Sequence, residues 1–319
     1  GGGFIGSHIS ENLQKKGFQI RLFDLNFTNY DLFAQKTGNF LNLEKIKGSV
    51  LDTNALQEVM KGCDYVIHAA AMLGVKNTEQ KALECLNANI LGTINVLEAC
   101  IKEKNIKRIV FTSSSEVYGE PIKFPIEESD PKSPVSLYGV SKLAGEEYIK
   151  AYQKKYGLDF SIVRFFNVYG PGQVAEFVMP KFIKNVSENK PPIIYGTGQQ
   201  VRTFCFVEDA AEGVSKVLTS HNAKNQVFNI GNDDESISMK DLAEKIIKIS
   251  GKDLKPQFVE MKDSDRDLSR EIHKRIPLIY QARVQLDYQP KFSLEDGIKK
   301  TMEANCIFET WPVDRPIIG

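Results

Sequence analysis

The sequence of 319 residues has no excess charge of either sign, because 41 lysines and arginines balance 41 aspartates and glutamates. With a net charge of zero and a pI near 7.1, the chain lacks the excess positive charge that is typical of proteins that bind nucleic acids or anionic membranes. The chain also lacks a run of about 18 apolar residues and a basic segment leading into an apolar one. We therefore expect no nucleic-acid partner, no membrane span and no secretion signal.

Cysteine is scarce and irregularly placed. The five cysteines, at 63, 85, 100, 205 and 306, show no paired spacing, and no histidine cluster accompanies them. Disulfide frameworks and structural metal sites need such spacings. The first four lie in apolar segments, which predicts core residues. The sequence thus predicts no metal site and a reducing, cytoplasmic setting.

Short apolar runs and helical patterns alternate over the first two-thirds of the chain. Buried strands are predicted at 18–23, 65–68, 108–112 and 160–165, and helices at 7–16, 89–104 and 138–156. This alternation predicts an α/β fold with a Rossmann-type, doubly wound parallel sheet covered by helices on both faces.

The pattern changes after Gly170, where helices are interleaved with short strands, as at 193–195 and 227–230. We expect residues 1–170 to form a cofactor-binding Rossmann domain. Residues 171–319 are expected to form mainly a smaller α/β lobe that binds substrate, with some segments returning to the main sheet.

A glycine-rich segment opens the chain. Gly3 would let the backbone approach a pyrophosphate, Gly6 would permit close helix–strand packing, and the following helix would attract phosphates with its N-terminus. Residues Gly3, Phe4, Ile5 and Gly6 therefore fit the last half of a dinucleotide-binding loop. Because the chain starts directly on three glycines, we expect that the strand which normally precedes such a loop has been cut away.

Asp24 ends the next apolar run, about 20 residues further on, where a carboxylate accepts hydrogen bonds from an adenosine ribose. A carboxylate there repels the 2′-phosphate of NADP, so the sequence favours NAD; the alternative is a simple turn residue. Asp52 fits either a contact with the adenine edge or a helix N-cap. The small side chains of Ala69, Ala70 and Ala71 would let the cofactor's ribose pass close to the backbone.

Tyr138 and Lys142 lie four positions apart in a helical pattern, so they share one face, one turn apart. A lysine ammonium beside a phenol lowers the tyrosine pKa from about 10, which lets the phenolate take a proton from a hydroxyl. Ser114 ends an apolar run upstream and offers a hydroxyl for the same substrate oxygen. Together the three residues predict oxidation of an alcohol, with hydride leaving for a nicotinamide.

The chain as a whole resembles the extended short-chain dehydrogenase/reductases, and more narrowly the NAD-dependent sugar-nucleotide epimerase/dehydratase family. Within that resemblance, Asn89 opens a central-helix motif and is expected in the cofactor site. The segments that carry the resemblance are Gly3–Gly6, Asn89–Thr93, Ser113–Gly119, Tyr138–Lys142, Phe166–Pro171, Gly196–Asp209, His273–Pro277 and Leu286–Pro290.

The resemblance implies roles for individual residues. Tyr138 would be the catalytic base, Lys142 would lower its pKa and hold the nicotinamide ribose, and Ser114 would bind the substrate's 4-hydroxyl. Asn167 would contact the sugar nucleotide. Arg202 would bind its diphosphate, which a guanidinium suits in a bidentate way, although an isolated arginine can also form a surface salt bridge.

The family shares an opening step, in which hydride leaves C4 of a hexose for NAD⁺ and a 4-keto sugar forms. The residues Ser115-Glu116 resemble those at the same positions of UDP-glucuronate decarboxylases and GDP-mannose 4,6-dehydratases. A carboxylate near C5 could abstract the C5 proton, which the 4-ketone makes acidic. Arg275 matches an arginine that the decarboxylases use near the substrate carboxylate, or is a structural arginine common to many relatives.

We therefore expect decarboxylation or 4,6-dehydration of a UDP-, GDP- or dTDP-hexose. The alternatives are a 4-epimerase, a dehydrogenase that releases the 4-keto product, and an NAD-binding protein without turnover. The intact set of Ser114, Tyr138 and Lys142 argues against the last of these.

The two long helical patterns predict a homodimer. In relatives the equivalent helices pair across a two-fold axis as a four-helix bundle. The apolar residues on these patterns are more numerous than one sheet face needs; the alternative is a monomer that buries them all. The residues are Ile90, Ile94, Leu97, Ile101, Leu143 and Ile149.

Overall fold

The computed structural model describes residues 1–38, 43–74, 78, 80–260, 272–305 and 307. The α-helices are α1 (Phe4–Lys15), α2 (Thr28–Thr37), α3 (Thr53–Met60), α4 (Ala82–Leu86), α5 (Gly92–Lys102), α6 (Leu137–Tyr156), α7 (Val178–Ser187), α8 (Val207–Thr219), α9 (Met239–Ser250), α10 (Tyr280–Leu286) and α11 (Leu294–Ala304). A π-helical turn covers Asn87–Leu91, and 3₁₀ turns cover Ser115–Tyr118 and His221–Ala223. Among these helices, none combines the length and apolar character that crossing a membrane requires.

The strands form one main sheet and several small ones. They are β1 (Arg21–Asp24), β2 (Glu44–Lys47), β3 (Tyr65–His68), β4 (Arg108–Ser114), β5 (Phe160–Phe165), β6 (Val168–Tyr169), β7 (Ile193–Tyr195), β8 (Val201–Thr203), β9 (Cys205–Phe206), β10 (Gln226–Ile230), β11 (Ser236–Ser238), β12 (Gln257–Val259) and β13 (Lys274–Arg275). The main sheet has the order β10-β5-β4-β3 with all neighbours parallel, and β1 and β2 form a separate parallel pair.

Helices cover both faces of the main sheet, as predicted. Alternate residues of β4 point to opposite faces: Val110 joins the core under α1, α8 and α10, whereas Ile109 and Phe111 join the core under α3, α5 and α6. All six residues of β5 are buried for the same reason. A strand covered on both sides needs apolar side chains on both sides, which explains the continuous apolar runs in the sequence.

A third core belongs to a smaller lobe. It is built from α7, α9 and α11 with β7, and includes Phe182, Ile194, Ile246 and Ile298. The two-stranded sheet β7–β12 and the three-stranded sheet β11-β8-β13 complete this lobe. Other segments that follow Gly170 lie on the main sheet instead, since β10 pairs with β5 and α8 packs against α1.

The element boundaries agree with the sequence patterns where local signals are strong. Helix α6 starts after an N-cap at Ser136 and stops before Gly157, whose φ of 73° only glycine adopts easily. Two predictions were less accurate. The first predicted strand is shorter and lies later, at Arg21–Asp24, and the helix predicted from residue 89 begins as the π-helical turn.

Candidate active site

The residues singled out in the sequence gather where parallel strands end. Ser114 is the last residue of β4 and Asp24 the last of β1. The three alanines follow β3 directly, and Asn167 comes two residues after β5. Ligands of open α/β sheets bind in the crevice outside the carboxyl ends of the strands. The fold therefore places these residues at the expected edge.

Tyr138 and Lys142 lie in the first two turns of α6, next to the end of β4. The Lys142 ammonium lies 5.7 Å from the centroid of the Tyr138 ring and 4.8 Å from that of Phe111. Its Nζ donates a hydrogen bond of 2.7 Å to the carbonyl of Thr112. Lys142 is only 3% exposed, so this bond and the two rings fix its position. The predicted juxtaposition of tyrosine and lysine is present.

The pKa values of this pair differ from the sequence-based prediction. Burial raises the pKa of Tyr138 above its usual value, and the nearby charge of Glu116 raises it further. Burial also lowers the pKa of Lys142 to about 8. In the protein alone, burial thus outweighs any lowering of the Tyr138 pKa by the Lys142 ammonium, and the predicted effect of Lys142 stays a prediction.

The serines after Thr112 have different surroundings. Ser114 caps the 3₁₀ turn, since its Oγ accepts a hydrogen bond of 3.2 Å from the Glu116 amide. Ser115 is buried, at 2% exposure. Ser113 donates to the Glu146 carboxylate at 2.6 Å, about two turns further along α6 than Tyr138. Ser114 is half-buried at the strand end, which fits the predicted role at the substrate hydroxyl.

Glu116 and Arg275, which the sequence analysis treated separately, form one ion pair. Nη1 of Arg275 lies 3.2 Å from Oε1 of Glu116. The other oxygen of Glu116 accepts a hydrogen bond of 2.6 Å from Ser136. Arg275 is 6% exposed, and its Nε has no hydrogen-bond partner among the described residues. A buried cation with an unused donor thus lies beside the 3₁₀ turn of the site.

Behind the site lies a buried ion pair that the sequence analysis missed. Arg164 on β5 donates two hydrogen bonds to Glu146 on α6, of 2.9 and 2.6 Å, and both side chains are at most 1% exposed. Arg164 also donates to the Tyr118 hydroxyl at 2.7 Å. Since Ser113 donates to the same Glu146, the pair joins α6, β4, β5 and the 3₁₀ turn.

The side-chain amide of Asn89 is engaged by groups of the protein, and its predicted place in the cofactor site stays a prediction. Its Oδ1 accepts from the Met72 amide at 2.7 Å, and its Nδ2 donates to the Met72 carbonyl and to the Ser141 hydroxyl, at 3.0 and 2.9 Å. The amide is thereby used within the protein. Asn89 holds the loop that follows Ala69, Ala70 and Ala71 against α6.

The start of α1 fits the phosphates of NAD. Gly3 is extended, with φ −82° and ψ −179°, and no atom lies within 4 Å of where a Cβ would be. The amides of Phe4, Ile5 and Gly6 precede the first intrahelical hydrogen bond, so they can face an anion. A Cβ on Gly6 would lie 2.3 Å from the carbonyl of Gly1, so this position requires glycine.

The two aspartates proposed for the adenosine half have different positions. Oδ2 of Asp24 accepts from the Gly2 amide at 2.9 Å, which puts its carboxylate beside the glycine-rich loop. Asp52 instead caps α3, where its Oδ1 accepts from the amides of Asn54 and Ala55, both at 3.0 Å. Of its two interpretations, the N-cap is therefore the one found, whereas the contact of Asp24 with a ribose stays a prediction.

Asn167 and Arg202, the residues expected to bind the sugar nucleotide, contact mainly backbone carbonyls. Asn167 adopts a φ of 41°, and its Nδ2 donates to the Thr203 carbonyl at 2.8 Å. Arg202 and Arg275 are neighbours on the β8–β13 pair. The Arg202 guanidinium donates to backbone carbonyls, among them that of Val201 at 2.8 Å. Binding of a diphosphate by Arg202 stays a prediction.

The sequence of the whole chain can now be compared with known proteins. The model of the NAD dependent epimerase/dehydratase family matches residues 1–231. The chain belongs to this family. It is 35% identical to a putative UDP-glucose 4-epimerase of Methanocaldococcus jannaschii, over 95% of both chains. It is 33% identical to a UDP-N-acetyl-alpha-D-glucosaminuronate decarboxylase of Bacillus cytotoxicus, also over 95% of both.

Solved structures agree with this membership. The UDP-glucuronic acid 4-epimerase of Bacillus cereus, in complex with UDP-glucuronic acid and NAD, superposes with a TM-score of 0.85 at 30% identity. That match covers 95% of this chain and 96% of the other. The predicted Rossmann-type fold, the NAD dependence and the enzymatic nature of this epimerase/dehydratase chain are thereby confirmed.

Three site residues were not found from the sequence, although two of them left a signal. Ser136 directly precedes the helical pattern of α6, which is the usual position of an N-cap. Arg164 is a charge inside the apolar run of β5, and such a charge needs a buried partner. Glu146 gave no distinct signal, since a glutamate one turn from Lys142 is also typical of a solvated face.

Proposed function

We propose that this enzyme oxidises C4 of a UDP-linked hexuronic acid to a 4-ketone and then releases the carboxyl group as carbon dioxide. The observation that supports this most is Arg275, a buried cation beside the site with an unused Nε. Guanidinium groups bind carboxylates through two parallel hydrogen bonds. The decarboxylase of Bacillus cytotoxicus, which is similar over nearly the whole chain, supports the same choice.

The position of Glu116 favours decarboxylation over dehydration. A dehydratase needs a base to remove the proton at C5. Both oxygens of Glu116 are engaged, one by Arg275 and the other by Ser136. A carboxylate held in this way is suited to fixing Arg275 beside the substrate's acid group.

The residues would divide the work as follows. Tyr138 takes the proton of the C4 hydroxyl, Lys142 contributes positive charge, and Ser114 orients the hydroxyl. When bound, NAD⁺ would accept the hydride from C4 and, as NADH, would return it to the C4 ketone after carbon dioxide has left, so that the cofactor ends the cycle oxidised. Oxidation turns the substrate into a β-keto acid, in which the C5–C6 bond breaks, carbon dioxide leaves and the electron pair remains as an enolate that is protonated at C5.

Epimerisation at C4 is the second candidate. The relatives from Methanocaldococcus jannaschii and Bacillus cereus are named as 4-epimerases. Such a reaction would use the same Tyr138, Lys142 and Ser114 and keep the carboxylate on Arg275. A 4,6-dehydratase, represented by a human relative at 30% identity, would instead need Glu116 as a carbon base.

Arg275→Ala is expected to be more damaging than Glu116→Gln if the enzyme is a decarboxylase, because only Arg275 meets the substrate's carboxylate. With UDP-glucuronate, Arg275→Ala should raise KM and lower product formation at least about tenfold, the effect of one lost charged hydrogen bond. Glu116→Gln should still reduce NAD⁺. The measurement is single-turnover absorbance of NADH together with the mass of the product.

Arg283→Ala is the matched control, because Arg283 also pairs with acidic groups, Asp233 and Asp234, but on α10. Incubation of the unaltered enzyme with UDP-, GDP- and dTDP-sugars separates the reactions by mass, as loss of carbon dioxide, loss of water or no change. Loss of water, with a Glu116→Gln variant that stalls after oxidation, would refute decarboxylation. Release of the 4-keto sugar with lasting NADH would identify a dehydrogenase.

We also propose a homodimer, on a surface that differs in part from the set in the sequence analysis. Four residues of that set are half-buried and remain candidates, namely Ile90, Ile94, Ile101 and Leu143. Leu97 and Ile149 lie in the chain's own core, at 0% and 1% exposure. On the outer side of the same helical layer, Leu91, Val140 and Tyr148 are 48%, 42% and 41% exposed. Val140 and Tyr148 lie two turns apart on one stripe of α6.

The unaltered protein is expected to have twice the 35.9 kDa mass of the chain by light scattering at micromolar concentration. Adding charge to the exposed stripe, in the double variant Leu91→Glu/Tyr148→Lys, should halve that mass. Val284→Lys, on the exposed side of α10, is the control. A monomeric mass for the unaltered protein would rule out the dimer.

A cytoplasmic setting remains a proposal that the thiols support. Cys63, Cys85, Cys100 and Cys205 are all free, and Cys306 lies outside the described residues. Burial raises the pKa of Cys100 to about 12, so this thiol is unreactive.

A further inference from the structure

We propose that Ser136 is a positioning residue whose hydroxyl joins two segments, so that Glu116 is locked to the start of α6. The inference rests on the proposed function in one respect, namely that the reaction step affected is the one after C4 oxidation. The contacts themselves do not depend on the substrate.

Ser136 makes two bonds with one hydroxyl. Its Oγ accepts a hydrogen bond of 3.0 Å from the Gly139 amide, which caps α6, and donates one of 2.6 Å to Oε2 of Glu116. A serine hydroxyl has a single proton, so its donor capacity is committed to Glu116. A short bond to a carboxylate is among the stronger protein hydrogen bonds.

Two other helices of the protein show the ordinary form of this arrangement. Ser238 accepts from the Asp241 amide at 3.0 Å and donates to the carboxylate of the same Asp241 at 2.6 Å. Ser293 and Asp296 do the same at the start of α11. In both cases the acidic side chain is the third residue of the helix.

In α6 the third residue is Gly139, which has no side chain, and Glu116 takes its place from 20 residues upstream. The glycine is needed, because a Cβ there would lie 2.8 Å from the backbone oxygen of Glu116. The backbone of the Glu116 turn thus packs on the first turn of α6. The hydrogen bond between the Ser136 and Glu116 side chains joins the same two segments. Tyr138 lies within this first turn.

With Arg275 on its other oxygen, Glu116 is held from two sides by groups outside its own turn. Removing the Ser136 hydroxyl removes the bond that ties Glu116 to the start of α6, so we expect the carboxylate to shift and Arg275 to shift with it. The expected defect lies after C4 oxidation, in the step that needs Arg275, and leaves the oxidation itself, with Tyr138 as the base, nearly intact.

Ser136→Gly tests this, because glycine is accepted at an N-cap nearly as well as serine and so leaves the helix in place. Ser238→Gly, at the N-cap of α9, where the hydroxyl donates to the carboxylate of its own helix, is the matched control. Ser136→Gly should slow the step after oxidation at least about tenfold, as expected for a lost hydrogen bond to a charged group, with NADH persisting in single turnover. Ser136→Thr, which keeps the hydroxyl, should restore the rate to within about threefold.

A crystal structure of Ser136→Gly provides a readout without substrate. The proposal requires a changed Glu116 side chain while residues 137–142 keep their backbone. An unmoved Glu116, or a lower melting temperature in both glycine variants with no change in the balance of the two steps, would overturn it. If unaltered enzyme and UDP-glucuronate give no carbon dioxide, the proposed decarboxylation fails, and the crystal structure still decides the role of Ser136.

Discussion

Replacing Tyr138 by phenylalanine is expected to lower turnover at least about a hundredfold while NAD still binds, the scale for loss of a general base. The substitution removes only the hydroxyl, so the ring keeps its place beside Lys142. Turnover is measured with the sugar nucleotide that the unaltered enzyme accepts, and NAD binding by calorimetry. Tyr156→Phe, at the exposed end of the same helix, is the control.

The pH dependence gives a second readout for the same variant. Burial raises the pKa of Tyr138, so the phenol is protonated at neutral pH and the base form is scarce. The rate of oxidation should therefore rise with pH, and flatten as Lys142 loses its charge near its pKa of about 8. Tyr138→Phe should lack this rise. Turnover at the unaltered level would show that another group is the base.

Glu146→Gln is expected to lower the free energy of unfolding by about 3–5 kcal/mol, the usual cost of leaving a buried charge without its partner. Arg164 would remain in the core with its guanidinium deprived of the carboxylate that accepts two of its hydrogen bonds. Urea unfolding measures the loss. Glu58→Gln breaks the exposed pair with Lys61 and should cost under about 1 kcal/mol.

The double variant Glu146→Gln/Arg164→Met removes both charges, so it should lose less stability than the sum of the two single variants. If the single variants are too unstable to purify, a double variant that can be purified already shows that the two losses do not add. A Glu146→Gln protein within about 1 kcal/mol of the unaltered one would mean that water replaces the carboxylate, contrary to the burial of this pair.

The sequence was sufficient for features that depend on local spacing. Tyr138 and Lys142 share a helix face because of the helical repeat, and Ser114 lies at the site because parallel strands end together. The contact between Glu116 and Arg275 could not be predicted in this way, since 159 positions separate the two residues. Their approach depends on β13 joining β8 in the smaller lobe.

For Asn89 and Tyr138, the surroundings in the fold could not be read from the sequence. Asn89 fits a cofactor contact by its motif, but the Met72 backbone and Ser141 use its amide in the fold. The pKa of Tyr138 depends on the balance between burial and charge, and burial cannot be read from the spacing of two residues.

The return of the chain from the smaller lobe to the main sheet restricts how members of this family can be recombined. The core under α1 contains side chains from β9 through β10, and again from α10 and Tyr288. A hybrid joined once near residue 170 would therefore bring a foreign half of that core along with a new substrate lobe. To transfer a new substrate specificity, the two intervening segments, 171–204 and 231–278, would have to be exchanged separately, while the elements that pack on the main sheet are kept.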